Sequence, residues 1–192
     1  IFAANIEVAG TIRSDRLYTV SHGLFTCSIE VGGEPRVYVI SVSDDGGTIT
    51  TVDFLHDGFA HTNVGMYFCH IAGDVWCVAR SKAAAGESLR FVTYTINGAG
   101  VAMIDDAVID AVSVVSGETP IIKVGPGVVC CTHHTAGAFY DFVTVEVADD
   151  GTIGAVIDTD AIINRERKTT VIHMGDNVFL YGIYAIRHRT IF

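Results

Sequence analysis

The sequence predicts an all-β protein assembled from four copies of a four-stranded antiparallel meander, and two recurrences carry that prediction. The first is an apolar residue, three turn-formers and a new apolar run: Val20-Ser-His-Gly-Leu24, Ile71-Ala-Gly-Asp-Val75, Val124-Gly-Pro-Gly-Val128 and Met174-Gly-Asp-Asn-Val178, with starts 51, 53 and 50 residues apart. The second is Asp44-Asp-Gly-Gly-Thr-Ile49 and Asp149-Asp-Gly-Thr-Ile153 at matching points of two units, with the eroded Asn97-Gly-Ala-Gly-Val101 between them. A period near fifty residues marks stacked supersecondary units. Helical spacing of apolar residues is absent from almost the whole chain.

Each unit offers short runs rich in Val, Ile, Thr, Tyr and Phe between Gly, Asp, Asn or Ser clusters, which is strand chemistry with turn punctuation. In the first unit the runs are Leu17 to Val20, Leu24 to Ile29, Arg36 to Val42 and Thr48 to Phe54. The second repeats them as Met66 to Ile71, Val75 to Arg80, Leu89 to Ile96 and Val101 to Ile104. In the third they are Ile121 to Val124, Val128 to His133, Phe139 to Val147 and Thr152 to Ile157. The fourth has Thr170 to Met174 and Val178 to Ala185, and Arg189 to Phe192 starts a third run. Asp or Asn before Gly in the connecting turns predicts type I′ hairpins with positive φ. The chain start, Phe2 to Gly10, reads as a strand able to complete the last unit, so that both termini share it and no sheet edge is left open. The expected organisation is one domain, 1–192, of units roughly 13–54, 64–110, 119–160 and 168–192 plus 1–12.

Phe68-Cys-His-Ile-Ala-Gly-Asp-Val-Trp-Cys-Val-Ala79 and Val171-Ile-His-Met-Gly-Asp-Asn-Val-Phe-Leu-Tyr-Gly182 follow a pattern of the form I-I-H-V-x-G-x-V-Y-A-I-A. With the DGTI-type turns, the chain resembles β-propeller repeat proteins over nearly its full length. The resemblance implies a β-propeller built of four-stranded antiparallel meanders, in proteins that often carry more than four blades, so the four units here are expected to form a four-bladed ring closed by a blade shared between the termini, a piece of a longer chain, or a half-ring that joins another copy. It implies no single activity, because propellers host lectins, hydrolases, lyases and interaction platforms alike.

Composition bounds the function. With 192 residues and 49% hydrophobic content the chain can bury a substantial core. Its apolar runs fall far short of the roughly 20 residues a membrane helix needs, so no span is expected. A net charge of −10 repels phosphate backbones and argues against nucleic-acid binding. The cations gather at Arg165-Glu-Arg-Lys168 and Arg187-His-Arg189, where a solvated loop is the expectation. Five cysteines leave at least one unpaired. Cys27, Cys77, Cys130 and Cys131 lie in apolar second runs and read as small core residues. Localisation stays open.

The site candidates are few. The residue before each recurrent apolar position is polar in every unit: Thr19, His70, Lys123 and His173. Strand alternation gives these four a shared orientation, and first strands of propeller blades face the central channel, so the column is an expected ligand site, suited to an anion. Cys130-Cys-Thr-His-His134 places one N and one S donor on each face, but no further ligands accompany them. The Asp44-Asp45 and Asp149-Asp150 turns lack the alternating oxygen ligands of a calcium loop. No metal and no cofactor is expected. Nucleophile-elbow, phosphate-loop and zinc-helix motifs are all missing. Asp53, Asp57, Asp105, Asp106, Asp110, Asp158 and Asp160 lie near the ends of fourth strands, where propeller hydrolases gather carboxylates. The recurrence of Asp53, Asp105 and Asp158 points instead to a scaffold role. The expected function is a non-catalytic binding domain whose rim loops, among them Phe54-Leu-His-Asp-Gly-Phe59, take a glycan or protein partner. Two alternatives stand beside it: a glycan hydrolase or lyase using rim carboxylates or the axial histidines, and a structural subunit completing a larger ring as a homo-oligomer.

Overall fold

The computed structural model describes residues 11–12, 17–31, 34–56, 66–80, 89–110, 119–135, 139–162, 169–175 and 178–183, which form strands and the turns between them. The first sheet contains β1 (Thr11–Ile12), β2 (Tyr18–Ser21), β3 (Leu24–Val31), β4 (Glu34–Val42) and β5 (Ile49–His56). The second contains β6 (Tyr67–Ala72), β7 (Val75–Arg80), β8 (Leu89–Asn97) and β9 (Gly100–Asp110), and the third β10 (Ile121–Gly125), β11 (Val128–Thr135), β12 (Phe139–Val147) and β13 (Ile153–Ile162). A hairpin of β14 (Thr169–Gly175) and β15 (Val178–Ile183) begins the fourth. Every pairing is antiparallel between neighbours in sequence, except that β1 and β2 both lie along the same edge of β3. The chain is thus an all-β propeller with three complete blades and the opening hairpin of a fourth among the described residues.

Two expectations change. Thr11 and Ile12, assigned by sequence to the closing unit, pair with Glu30 and Ile29 of the first sheet, because β3 runs past Ile29 to Val31 and offers them an open edge. Residues 1–10 and 184–192, on which the sharing of the last blade rests, lie outside the described residues. The fourth strands also run further than their apolar patterning indicates, to His56, Asp110 and Ile162. Phe54 and His56 therefore belong to a strand rather than to a rim loop.

The second sheet is buried on both faces, and parity along its strands divides the work. Trp76, Val78, Val92, Tyr94 and Ile96 pack with Leu24, Val37 and Val39 of the first sheet. Cys77, Ala79, Leu89 and Phe91 pack with Ile121, Val129, Cys131, Val143, Val145 and Val147 of the third. These stacked layers explain the unbroken apolar runs that carry no alternation. The innermost strands β6, β10 and β14 lie side by side, as do the outermost β5, β9 and β13.

The recurrent apolar positions are β-bulges. Register shifts fall between Thr19 and Ser21, His70 and Ala72, Lys123 and Gly125, and His173 and Gly175, so Val20, Ile71, Val124 and Met174 are each the extra residue. A bulge bends its strand and re-aims the flanking side chains. In the first three blades the hairpins after them are two-residue turns, with positive φ at Gly23, Gly73 and Gly127.

The Asp-Gly turns differ from the type I′ expectation. Gly46 N donates to Ser43 O at 2.7 Å and Gly151 N to Ala148 O at 2.9 Å, while the strands close through Ser43 N to Thr48 O and Ala148 N to Thr152 O. The loops are four and three residues long, and the positive φ of Gly46 (+69°) and Gly151 (+92°) follows a β-turn instead of forming its centre. Asp45 Oδ1 accepts from Gly47 N, Asn97 Oδ1 from Ala99 N and Asp150 Oδ1 from Thr152 N. An oxygen-bearing side chain bonding two residues on stabilises a longer loop of this kind; the eroded Asn97 copy keeps the bond, although its loop is only the two residues Gly98 and Ala99.

Candidate functional site

The axial column is placed by β2, β6, β10 and β14, the first strand of each blade. Its register is the same in all four: Thr19 faces Phe25, His70 faces Trp76, Lys123 faces Val129 and His173 faces Phe179 across the first hairpin, each just before the bulge. Thr19 and His70 are exposed and Lys123 is half-buried. The His173 side chain lies outside the described residues. Lys123 Nζ reaches from β10 to β6 and donates to the carbonyl of Ile71 at 2.6 Å. One of its three protons is spent across the blade boundary, leaving two for a ligand. His70 Nε2 lies 2.8 Å from Gly73 O. A carbonyl can only accept, so Nε2 carries the proton and Nδ1 is left as an acceptor in the neutral ring. The His70 ring leans on Trp76, centroids 5.0 Å apart at 58°. No hydrogen bond among the described residues joins the column side chains directly; what links them is the backbone of β6, which holds His70 and receives Lys123 one residue further on.

The recurrent aspartates do different work. Asp53 Oδ1 accepts from its own neighbour Phe54 N at 2.8 Å, and Oδ2 crosses to the next blade to accept from Val101 N at 3.0 Å. Asp105 repeats this, with Oδ1 on Asp106 N at 2.8 Å and Oδ2 on Ile153 N at 2.9 Å. Asp158 caps Thr159 N at 2.8 Å in the same way, and its second oxygen has no partner among the described residues. Each aspartate follows a bulge, at Val52, Ile104 and Ile157 respectively, which turns the carboxylate out of the ladder towards the adjoining sheet. Asp53 and Asp105 are clamps between blades. Thr93 Oγ1 to Gly151 O at 2.6 Å and Thr119 Oγ1 to Ala79 O at 2.7 Å add buried bonds across the second boundary. Sequence reading found the aspartates through their spacing; it missed Thr93 and Thr119, whose acceptors are backbone carbonyls that no side-chain pattern marks. Asp106 is held by Arg90 Nη1 at 2.8 Å.

All five cysteines are buried and unpaired. Burial pushes the Cys27 and Cys130 thiols up to about 11 and Cys69 up to about 12, and Cys77 and Cys131 well above the ordinary thiol range. Cys131 and His133 lie buried on one face of β11, and among the described residues no group of three or more His, Cys, Asp or Glu is arranged to hold a metal. No helix among the described residues is long and apolar enough to cross a membrane.

No family model matches the chain, and no curated protein matches its sequence. Among solved structures it is similar to NanB in complex with optactamide, with a TM-score of 0.57 and 14% identity over 85% of this chain and 26% of that one. A second match is the K499G mutant of NanB sialidase from Streptococcus pneumoniae, with a TM-score of 0.47 and 14% identity over 71% of this chain and 22% of that one. The chain spans about a quarter of the length of these structures. At this identity the first likeness bears on the fold, which it places among propellers.

Proposed function

We propose that the chain is a non-catalytic glycan-binding module whose ligand sits at the axial end of the blades, against Thr19, His70, Lys123 and His173. The observation that carries this reading is the engagement of the rim carboxylates. Both oxygens of Asp53 and of Asp105 accept backbone N–H groups, one of them from the neighbouring blade. A carboxylate with both oxygens spent on backbone N–H groups is committed to joining the blades rather than to a substrate. The column, by contrast, keeps unspent donors on Lys123 and an unspent acceptor on His70, a mixture suited to sugar hydroxyls and an anionic substituent. A glycan is favoured over a protein ligand because the propeller to which the chain is similar bears the name of a sialidase.

That same likeness favours one second reading, a glycan hydrolase, in which Asp106 is the candidate carboxylate: its Oδ1 is buried without a hydrogen-bond partner. Glycan-array binding, followed by mass spectrometry of each bound glycan after incubation, separates the two. The module reading expects binding that weakens by about tenfold or more in Lys123→Met, with the glycans recovered intact. Cleaved products that vanish in Asp106→Asn would establish the hydrolase instead.

A further inference from the structure

We propose that the outer half of the first blade carries a second, separate carbohydrate subsite, in which a carboxylate-bearing sugar stacks on Phe54 and pairs with Arg36. The residues come together through register. On β4, Arg36 and Tyr38 project to the face turned away from the second blade, and their partners on β5 are His56 and Phe54. Tyr38 is buried and its ring stacks on Phe54, centroids 5.4 Å apart at 21°. Phe54 is thereby held flat on a rigid support while 48% of it stays exposed. The Arg36 guanidinium lies 5.4 Å from the Phe54 ring centroid, a cation–π placement that fixes its plane beside the platform.

Three properties define the ligand. A rigid, exposed aromatic ring suits the C–H face of a pyranose, which offers apolar area without needing to be buried on all sides. Arg36 supplies the charge. It has no carboxylate partner among the described residues of a chain with a net charge of −10, and its Nε is buried without a hydrogen bond. Arg90, in contrast, is paired with Asp106. A planar guanidinium with no carboxylate partner among the described residues matches a carboxylate bidentately, here through its two Nη atoms because Nε is buried. His56 and Glu34 close the margin: His56 Nε2 lies 3.0 Å from Glu34 Oε2, so the glutamate is turned to the histidine rather than to Arg36, and the pair offers polar atoms to ring hydroxyls. A flat apolar face, a carboxylate and hydroxyls together describe a uronic-type sugar. The subsite lies on the first blade alone and does not rest on the axial column.

The test is a binding titration of the full chain with trigalacturonate, with its methyl ester and sodium acetate as comparison ligands. The wild type should bind trigalacturonate at least about tenfold more tightly than the ester, and both Phe54→Leu and Arg36→Lys should weaken it by about tenfold or more. Phe54→Leu keeps the apolar bulk and Arg36→Lys the charge, and circular dichroism confirms that each is folded. Asp158→Ala, on the third blade and outside both proposed sites, should leave this binding unchanged. Absence of wild-type binding at millimolar ligand would overturn the subsite, as would undiminished binding by Phe54→Leu. So would acetate competing as well as the trisaccharide, which would reduce the site to a simple anion contact. Loss in Lys123→Met with full retention in Phe54→Leu would move the ligand to the axial column, overturning this subsite while leaving the function proposed above intact.

Discussion

At the residue scale the aspartate clamps are the most informative groups, because near-identical side chains meet different surroundings. Asp105 satisfies two backbone donors, one of them in the next blade, whereas Asp158 satisfies only its own neighbour. Removing an acceptor and stranding a part-buried donor costs about 1–3 kcal/mol, against near zero for an exposed group that bridges nothing. Asp105→Ala should therefore lower the unfolding temperature by several degrees, at about 2–4 °C per kcal/mol. Asp158→Ala should fall close to wild type in the same calorimetric scan. Equal effects would show that the inter-blade oxygen contributes nothing. The thiols give a second prediction. A thiol pushed to about 11, as in Cys27 and Cys130, has roughly one molecule in a thousand as thiolate at pH 8, and thiolate is the reactive form. Native protein should react with a disulfide reagent at least about a hundredfold more slowly than urea-unfolded protein. Rapid native labelling of all five would contradict their placement between the sheets.

At the scale of elements, turns and bulges set the geometry that the strands only propagate. Gly100 has φ +135°, and a Cβ there would collide with the Asp53 carboxylate, while Gly73, at φ +51°, has nothing within 4 Å of the position a Cβ would take. Gly73→Ala meets only left-handed strain of about 1 kcal/mol. Gly100→Ala must also displace a clamp, so its loss in urea denaturation should be at least about twice as large. The Asp turns respond to acid. Asp45 is held below the usual carboxylate range first by the Ser43 hydroxyl and then by Gly47 N, and Asp150 by the Thr152 backbone and hydroxyl. Their folded-state pKa values lie under the unfolded value of about 3.9. The stability they supply is complete above that value and is lost as pH falls through the lower folded one. The double variant Asp45→Asn, Asp150→Asn keeps the side-chain acceptor. It should be less stable than wild type at pH 7, converge on it in acid and so show a flatter decline of stability below about pH 4; an unchanged decline would assign the acid sensitivity elsewhere. These turns were legible as turns from Asp-Gly alone. Their loop length was not, because Ser43 and Ala148 close the β-turn from positions that no dipeptide preference marks.

At the scale of the whole molecule, the repeat spacing made the blades legible, since every blade uses the same bulge and hairpin at the same interval. The packing partners of each face were not legible: in the second sheet both faces are apolar, and only the third dimension decides that Trp76 meets the first blade and Cys77 the third. The same limit hid Arg36, Tyr38 and Phe54, which lie far apart in sequence until register joins them. The axial column was legible as a recurrence, and its register is common to all four blades. That Lys123 would spend a proton on the Ile71 carbonyl was invisible, because the acceptor is backbone. The central claim divides the polar residues between axial ligand binding and structural clamping at the rim. Amide and side-chain NMR shifts, followed while the protein is titrated with the tightest glycan from the array, test it most directly. The account predicts the largest shifts at Thr19, His70 and Lys123, with Asp53 and Asp105 unmoved and the glycan intact at the end of the titration. Shifts centred on Asp53, Asp105 or Asp106, with products accumulating as the spectra are recorded, would contradict it.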